Sequence, residues 1–156
     1  MLAEMESGIT RWPAELEKEY LAAGYWENRS LGEQIFAVAD KFPQRSALVD
    51  PDHGIDLTFA QLTQRADATA ARLLQLGFQP GNRAIIALPN TASFIVLLLG
   101  MLRAGILPVL ALPNHRHFEL KTLALSSGAR AYISADVVRG FDHRELGENL
   151  TQEVPN

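Results

Sequence analysis

Apolar residues in the middle of the chain alternate between runs typical of buried strands and a longer block typical of a helix. The run from Arg83 to Leu88 is continuously apolar after its first residue, and so is the run from Ile106 to Leu112. Such runs are typical of strands buried on both faces of a parallel sheet. The block between them ends at Gly105 and predicts a helix. The stretch 83–120 therefore predicts a βαβ unit followed by the start of another helix. Two core residues are expected in it: Leu98 and Val109.

A long amphipathic helix is predicted before this unit. Thr58 and Gln61 have the spacing of a capping box, and Gly77 ends the pattern. Small residues on its apolar face should let the helix lie close to a sheet. The apolar stripe consists of Leu62, Ala66, Ala70, Leu73 and Leu74.

A shorter helix and a β-hairpin are predicted further upstream. Ser30 and Glu33 form another capping-box pattern, and this helix should stop near Pro43. Strands at 46–50 and 55–59 flank a Pro-Asp-His-Gly turn, which is typical of a hairpin.

The N-terminal arm is predicted to contain a helix that opens at Pro13 and ends at Gly24. Its aromatic residues are interpreted as an anchor that docks the arm on the rest of the molecule, in preference to a ligand cage. These residues are Trp12, Tyr20, Tyr25 and Trp26.

Two asparagines are predicted to cap the helices of the βαβ region. Asn90 precedes the first of these helices, and Asn114 precedes a helix that should end near Gly128. Residues 131–134 are predicted to form the last strand. The segment from Asp136 is polar and shows no clear closing element.

The element order predicts an α/β fold, with a flavodoxin-like parallel sheet, flanking helices and right-handed crossovers. A helical arm and a β-hairpin precede the sheet. The expected division is an N-terminal arm at 1–30, an α/β subdomain at 31–135, and a polar tail or truncated continuation at 136–156.

Composition narrows the classes of function. A net charge of −4 gives no basic footprint for nucleic acid, and the absence of cysteine excludes disulfides and thiolate chemistry. The stretch 91–112 is long and apolar enough to raise the question of a membrane span. Arg103 at its middle and Gly105 and Pro108 beyond it favour a buried helix followed by a strand. We therefore expect a cytoplasmic protein with no nucleic-acid or membrane partner.

Few residues suggest chemistry on their own. The chain has no phosphate-binding glycine loop and no nucleophile elbow. No metal site is predicted, because His115 and His117 should point in different directions and lack an evident third ligand.

The best candidate site is the loop from Pro113 to His117, which follows the carboxyl end of a predicted parallel strand. Its candidate substrate-edge residues are Asn114, His115 and Arg116. The alternative, which we favour from the residue types, is that Asn114 caps a helix and Arg116 pairs with Glu119 on the surface.

Four segments in order carry a family resemblance. Trp12-Pro13 with Tyr25-Trp26 resembles the opening of the aryl acid–AMP ligases. Residues 57–62 look like the first core motif of adenylate-forming enzymes, although Phe59 and Gln61 stand where Tyr and Glu are usual. Residues 102–109 look like the second core motif, and 108–120 resemble the loop that follows it in the aryl-acid subgroup. Five positions are interpreted as structural parts of these motifs: Thr58, Leu62, Arg103, Gly105 and Pro113.

The resemblance implies an enzyme that activates 2,3-dihydroxybenzoate or salicylate with ATP and Mg²⁺. The aryl group would then pass to an aryl carrier protein for siderophore biosynthesis by nonribosomal peptide synthesis. It also implies that the phosphate loop, the adenine and ribose contacts and the catalytic lysine lie downstream, so no catalytic residue is assigned here. We expect this segment alone to bind no cofactor and to be inactive.

Two alternatives remain open. The chain could be a non-catalytic interaction or dimerisation module, with an apolar patch where the remainder of an adenylation domain would pack. It could also be an independent nucleotide or flavin binder, although the absence of a phosphate loop argues against binding. The sequence does not distinguish dihydroxybenzoate from salicylate, or identify the siderophore or carrier protein.

Overall fold

Helices and strands alternate along the polypeptide, described here by a computed structural model over residues 10–154. A single turn of 3-10 helix, Pro51–His53, connects the first two strands. The elements are α1 (Ala14–Ala22), α2 (Leu31–Lys41), β1 (Ser46–Asp50), β2 (Ile55–Thr58), α3 (Phe59–Gln75), β3 (Arg83–Ala87), α4 (Ala92–Arg103), β4 (Leu107–Leu110), α5 (His117–Ser127), β5 (Ala131–Ser134), β6 (Val137–Val138), β7 (Phe141–Asp142) and α6 (His143–Glu153).

The central sheet is parallel and has the strand order β4-β3-β5. Strand β3 lies between the other two, with Ile85 opposite both Val109 and Tyr132. From Ala84 to Ala87 no residue of β3 is more than 1% exposed. The predicted α/β fold with a parallel sheet and flanking helices is therefore confirmed, and β3 is the strand buried on both faces.

Strand β4 differs from its prediction because it lies at an edge of this three-stranded sheet. Its residues are half-buried, and Leu110 is 59% exposed. Leu98 and Val109, which are expected in the core, are both half-buried. Val109 packs against the cluster around Ile85. A continuous apolar run does not distinguish an edge strand from a central one, because pairing on the second edge is a property of the whole sheet.

Alternate residues of β3 face two helical layers. Ala84 and Ile86 pack with residues of α3 and α4 and with Ile106. Ile85 packs on the other side against a cluster contributed by α5 and α6. This alternation follows from the period of two in a β-strand. The second cluster contains Leu120, Ala124, Leu146 and Leu150.

Helices α3 and α4 approach each other closely at Gly100. A Cβ atom there would lie 2.6 Å from Cγ2 of Thr69 and 3.1 Å from the carbonyl oxygen of Ala66. Ala70 contacts the core beside the sheet as expected, whereas Ala66 packs in the cluster that contains Leu99. The small residues of α3 thus permit a close helix–helix contact as well as packing on the sheet. The assignment of Leu74 to the apolar stripe is wrong, because it is 46% exposed.

The capping boxes at Ser30 and Thr58 are confirmed, with reciprocal hydrogen bonds to Glu33 and Gln61. The prediction that Asn90 and Asn114 cap helices α4 and α5 is wrong. Helix α4 follows Thr91, and its amide at Ala92 donates to Oδ2 of Asp50 at 2.8 Å.

Asp50 belongs to the antiparallel β1–β2 hairpin, so this hairpin caps α4 across 42 residues of sequence. At the next helix, α5 follows Arg116 rather than Asn114, and the Arg116 amide donates to Oε2 of Glu119 at 3.0 Å. A local spacing rule does not find the first of these caps, because its acceptor comes from a distant strand.

The segment after Asp136 has a closing element that the sequence analysis missed. Strands β6 and β7 form an antiparallel hairpin, and α6 follows directly. Leu146 and Leu150, four residues apart, bury one face of α6 in the core. Gly147 and the polar residues between them conceal this narrow apolar face in the sequence. We call β6, β7 and α6 (residues 137–153) the closing unit. The proposed domain division at 31–135 stays a prediction.

The aromatic residues of the arm pack on one another. Trp12 and Trp26 have ring centroids 5.5 Å apart, and Tyr20 and Trp26 are 5.3 Å apart. No residue of α1 is buried, and Tyr25 is 76% exposed. The docking of the arm on the body stays a prediction.

Within residues 10–154, no helix combines the length and the hydropathy that crossing a membrane requires.

Replacing Ile86 by Ala should lower the free energy of unfolding by about 2–5 kcal/mol, the usual range for a fully buried aliphatic side chain. The matched Leu98→Ala change should cost less, because Leu98 is half-buried. Urea denaturation of both variants measures the difference. Equal losses would contradict the assignment of β3 as the central strand.

Replacing Asp50 by Ala should lower the melting temperature, whereas Asn90→Ala should have little effect, because Asp50 supplies the cap of α4. Hydrogen bonds from the Ala92 amide and then from His53 hold the pKa of Asp50 below its ordinary value of 3.8. The contribution of the carboxylate is thus present above pH 3.8 and is lost as the pH falls through the lower folded-state pKa.

Thermal melts of the two variants at pH 7, and of Asp50→Ala over an acid series, test this assignment. A larger loss for Asn90→Ala, or a loss for Asp50→Ala that grows on acidification, would contradict it.

Candidate functional site

The order of the strands reverses at the centre of the sheet. From β3 the chain crosses to β4 on one side and then returns to β5 on the other side of β3. In open parallel sheets, ligands bind beyond the carboxyl ends of the strands where the order reverses. This places the expected crevice near the ends of β3 and β5, at Ala87 and Ser134.

The predicted site residues lie on the β4–α5 loop, which we define as residues 111–116. The loop begins beside β3, because the amide of Ala111 donates to the carbonyl of Ile86 at 2.9 Å. It then turns back, with the amide of His115 donating to the carbonyl of Leu112 at 3.0 Å. The backbone thus holds both ends of the loop.

The side chain of Arg116 stabilises its own loop by hydrogen bonds. Its Nη1 atom donates to the carbonyl oxygens of Pro113 and His115 at 3.2 and 3.0 Å. Its guanidinium carbon lies 3.8 Å from the centroid of the Phe141 ring, within cation–π distance. Phe141 belongs to the closing unit, so this contact joins the loop to residues 136–156, which are predicted to be a polar tail or a truncated continuation.

Glu119 holds the loop at the start of α5. Its carboxylate accepts from the Arg116 amide, so the expected surface pair of these residues exists through the backbone. Backbone amides, that of Glu119 first and that of Arg116 next, hold its pKa below the ordinary value of 4.5. The carboxylate is therefore charged at neutral pH and suits the positive end of the helix dipole.

The other predicted residues take different positions. Asn114 is exposed, and His115 is half-buried with a buried Nδ1 atom that has no hydrogen-bond partner within residues 10–154. Nε2 of His117 lies 3.1 Å from Oε2 of Glu153, which also accepts from Nζ of Lys121 at 2.8 Å. The two histidines therefore do not share a site.

A hydrogen-bonded pair that the sequence pattern does not predict lies beside Arg116. The hydroxyl of Tyr132 is 2.6 Å from Nδ1 of His143, and His143 is only 1% exposed. Burial is the main cause that raises the pKa of Tyr132 and lowers that of His143, and the charge of Arg116 lowers the pKa of His143 further. His143 lay in a polar segment, and nothing in that pattern indicates burial.

The structural-motif residues occupy packing and turn positions. Thr58 caps α3, and Leu62 is buried beneath it. Arg103 donates to Asp67 at 2.7 Å and lies 4.4 Å from the centroid of Phe36. Gly105 adopts a φ of +70°, which favours glycine, and a Cβ there would lie 3.1 Å from Pro80. Pro113 is half-buried in the loop.

A separate cavity of about 350 Å³ lies between α5, β5 and α6. Ile85 and Leu150 line its apolar part, and Arg130 lies at its polar side. Tyr132 lines it too, but no residue of the β4–α5 loop does. Among the residues placed by the structure, no three carboxylates or imidazoles are arranged to hold a metal ion.

The contacts around the loop position the backbone and present no reactive centre. Arg116 uses its guanidinium on carbonyls of its own loop, and the carboxylate of Glu119 is used on an amide. Tyr132 and His143 form a hydrogen-bonded pair, but the imidazole of His143 is buried away from solvent and Tyr132 is half-buried. The arrangement can hold the loop in one conformation. The assignment of Asn114, His115 and Arg116 to a substrate edge stays a prediction.

Comparisons with known proteins identify what the whole chain is similar to. The AMP-binding enzyme family matches residues 35–155. The chain is 42% identical to the salicyl-AMP ligase / salicyl-S-ArCP synthetase of Mycobacterium tuberculosis, over 152 residues that are 95% of this chain and 27% of that protein. It is 34% identical to the 2,3-dihydroxybenzoate-AMP ligase of Bacillus subtilis, over 97% of this chain and 28% of that protein.

A solved structure gives the same result for the fold. The apo structure of MbtA from Mycobacterium smegmatis superposes with a TM-score of 0.87 at 40% identity. It covers 96% of this chain, and the chain covers 27% of it. The chain thus spans about a quarter of the length of the relatives it matches.

Proposed function

The chain belongs to the AMP-binding enzyme family, and from that premise we propose that it is the N-terminal part of an aryl acid–AMP ligase. The observation that carries the proposal is the length of this chain over which it is similar to such enzymes. The alignment with the M. tuberculosis salicyl-AMP ligase includes 152 residues, more than the family match at 35–155 contains. It therefore extends into the aromatic arm before residue 35.

In the proposed reaction, the carboxylate of an aryl acid attacks the α-phosphate of ATP. An aryl adenylate forms and pyrophosphate leaves, and the adenylate then gives its acyl group to the phosphopantetheine thiol of an aryl carrier protein. Cationic side chains and Mg²⁺ would stabilise the phosphoryl charge. Salicylate and 2,3-dihydroxybenzoate are the proposed substrates, since relatives named for each are similar over nearly the whole chain.

The proposed contribution of this chain is structural. Its hydrogen bonds and packing hold β3, the caps of α4 and α5, and the β4–α5 loop, whereas the phosphate-binding and catalytic groups would lie elsewhere in the enzyme. Asn114, His115 and Arg116 are retained as residues at the edge of the aryl-acid site. We further propose a cytoplasmic enzyme of siderophore biosynthesis, with a carrier protein and the remainder of the adenylation domain as partners.

A second candidate function is a non-catalytic interaction or dimerisation module. The segment from the end of β4 into α5 favours it, because three of its large apolar side chains are exposed. Leu110 is 59%, Leu112 is 63% and Phe118 is 79% exposed. Exposed apolar side chains of this size are typical of surfaces that another element or chain covers.

The purified 156-residue chain should not exchange pyrophosphate into ATP with either salicylate or 2,3-dihydroxybenzoate, because no phosphate-binding or catalytic group is assigned to it. A complete salicyl-AMP ligase assayed in parallel provides the positive control. Aryl-acid-dependent exchange by the purified chain would show that the assignment of the catalytic groups to other segments is wrong.

The isolated chain should associate with itself in a concentration-dependent manner, because Leu112 and Phe118 are exposed. Light scattering should show a smaller average mass for a Leu112→Lys, Phe118→Lys variant. An exposed pair away from this segment, Val49→Lys with Leu76→Lys, is the matched control. A monomer at every concentration, or equal effects of the two double variants, would argue against this surface.

A further inference from the structure

His143 is buried without the full set of partners that its ring requires. Its Nδ1 atom is 2.6 Å from the Tyr132 hydroxyl, while Nε2 is buried and has no hydrogen-bond partner within residues 10–154. The backbone amide of His143 donates to the carbonyl of Asp136 at 2.8 Å, which holds the residue at the start of α6. A buried polar atom without a partner is costly, and the cost rises greatly if the group is charged.

A chain of direct contacts leads from this ring to the β4–α5 loop. The Phe141 ring meets the His143 ring edge-on, with centroids 5.0 Å apart and an angle of 78°. Phe141 also packs against the cluster around Ile85 and lies beneath the guanidinium of Arg116. That guanidinium binds the carbonyls of Pro113 and His115. His143 thus contributes to the position of Phe141, together with the cluster around Ile85, and Phe141 supports the side chain that holds the loop.

We propose that neutral His143 is a positioning residue that keeps the closing unit against the sheet, and that its protonation releases the β4–α5 loop. Protonation would give the buried ring a second N–H donor and a positive charge beside Arg116. Release of the closing unit would expose the imidazolium to water and separate Phe141 from Arg116. The loop would then lose the support that the closing unit provides.

The charges around the ring do not compensate for protonation. Tyr132 from β5 supplies a neutral hydroxyl, and Arg116 from the loop supplies a like charge. Asp142 from β7 is the acid that favours the charged ring, but its carboxylate binds the amide and guanidinium of Arg144. That pairing lowers the pKa of Asp142 to about 2. Asp136 contributes its backbone carbonyl to His143 and also influences Arg144 electrostatically.

The direction of the pH effect follows from linkage. Burial and Arg116 lower the pKa of folded His143 below the ordinary value of 6.5. The unfolded or released state therefore binds more protons, and the closed arrangement weakens as the pH falls from about 6.5 toward the folded pKa. Glu119 and Glu153 have pKa values below 4.5, so they titrate below this window.

Amide hydrogen exchange of the 156-residue chain, corrected for intrinsic rates, tests the proposal between pH 7.5 and 5.0. Protection of the amides of His115 and Leu120 should fall by up to about tenfold for each pH unit below 6.5. Amides of β3, such as Ile86, should keep their protection. The ring of His143, followed by NMR, should titrate at a lower pH than the one at which the loop begins to lose protection, because the ring in the closed arrangement has the lowered pKa.

Two variants complete the test. His143→Asn retains a polar group near Tyr132 but does not titrate, and should flatten the pH profile of the loop. His53→Asn removes a histidine that lies outside the loop and the closing unit and contacts Asp50, and it should preserve the profile. If His143→Asn does not fold, the order of the two wild-type transitions decides the question: loop protection should begin to fall before the ring titrates.

Four results would overturn the proposal: constant loop protection in the wild type, an unchanged profile in His143→Asn, parallel loss of protection in β3, or titration of the ring at a higher pH than the onset of the loss of loop protection. The test involves no substrate, so it can fail while the proposed ligase function stands. That release of the loop would move Asn114, His115 and Arg116 at the edge of an aryl-acid site is an inference that rests on the proposed function.

Discussion

Strand β3 is paired on both edges and buried on both faces, and this is the constraint on which the other elements depend. A strand in this position needs a parallel neighbour on each side and a helical layer on each face. The α3–α4 layer covers one face, with Gly100 permitting its closest contact. The second layer is incomplete without α6, because Leu146 and Leu150 complete the cluster around Ile85. The closing unit is therefore part of the same core.

The same constraint explains where the candidate site lies and why its residues present no reactive centre. The β4–α5 loop starts from the backbone of β3 and is held by Arg116, whose guanidinium rests on the closing unit. The groups that could have bound a ligand are used on the chain itself. A segment that spans about a quarter of its relatives can thus have a well-formed core, a positioned loop and an exposed apolar edge at β4.

Much of the fold could be predicted from local patterns, and the exceptions have physical reasons. The capping boxes at Ser30 and Thr58 are complete within four residues of sequence, so spacing alone finds them. The cap of α4 comes from Asp50, and no local rule reaches that far. Val109 is apolar in a β-strand pattern but lies at a sheet edge. His143 is a polar residue whose burial is visible only once Tyr132 and Phe141 are brought to it by the fold. The family resemblance indicated the class of enzyme, whereas the residues gave no catalytic group.

The function proposed for this chain is that of the N-terminal part of an aryl acid–AMP ligase. The most direct measurement is aryl-acid-dependent pyrophosphate exchange by a graft in which the chain replaces the matching segment of the M. tuberculosis salicyl-AMP ligase. The same enzyme without that segment is the control. We expect exchange with salicylate by the graft and none by the control. A graft that folds, as shown by a cooperative thermal transition, yet gives no exchange would contradict the proposed function.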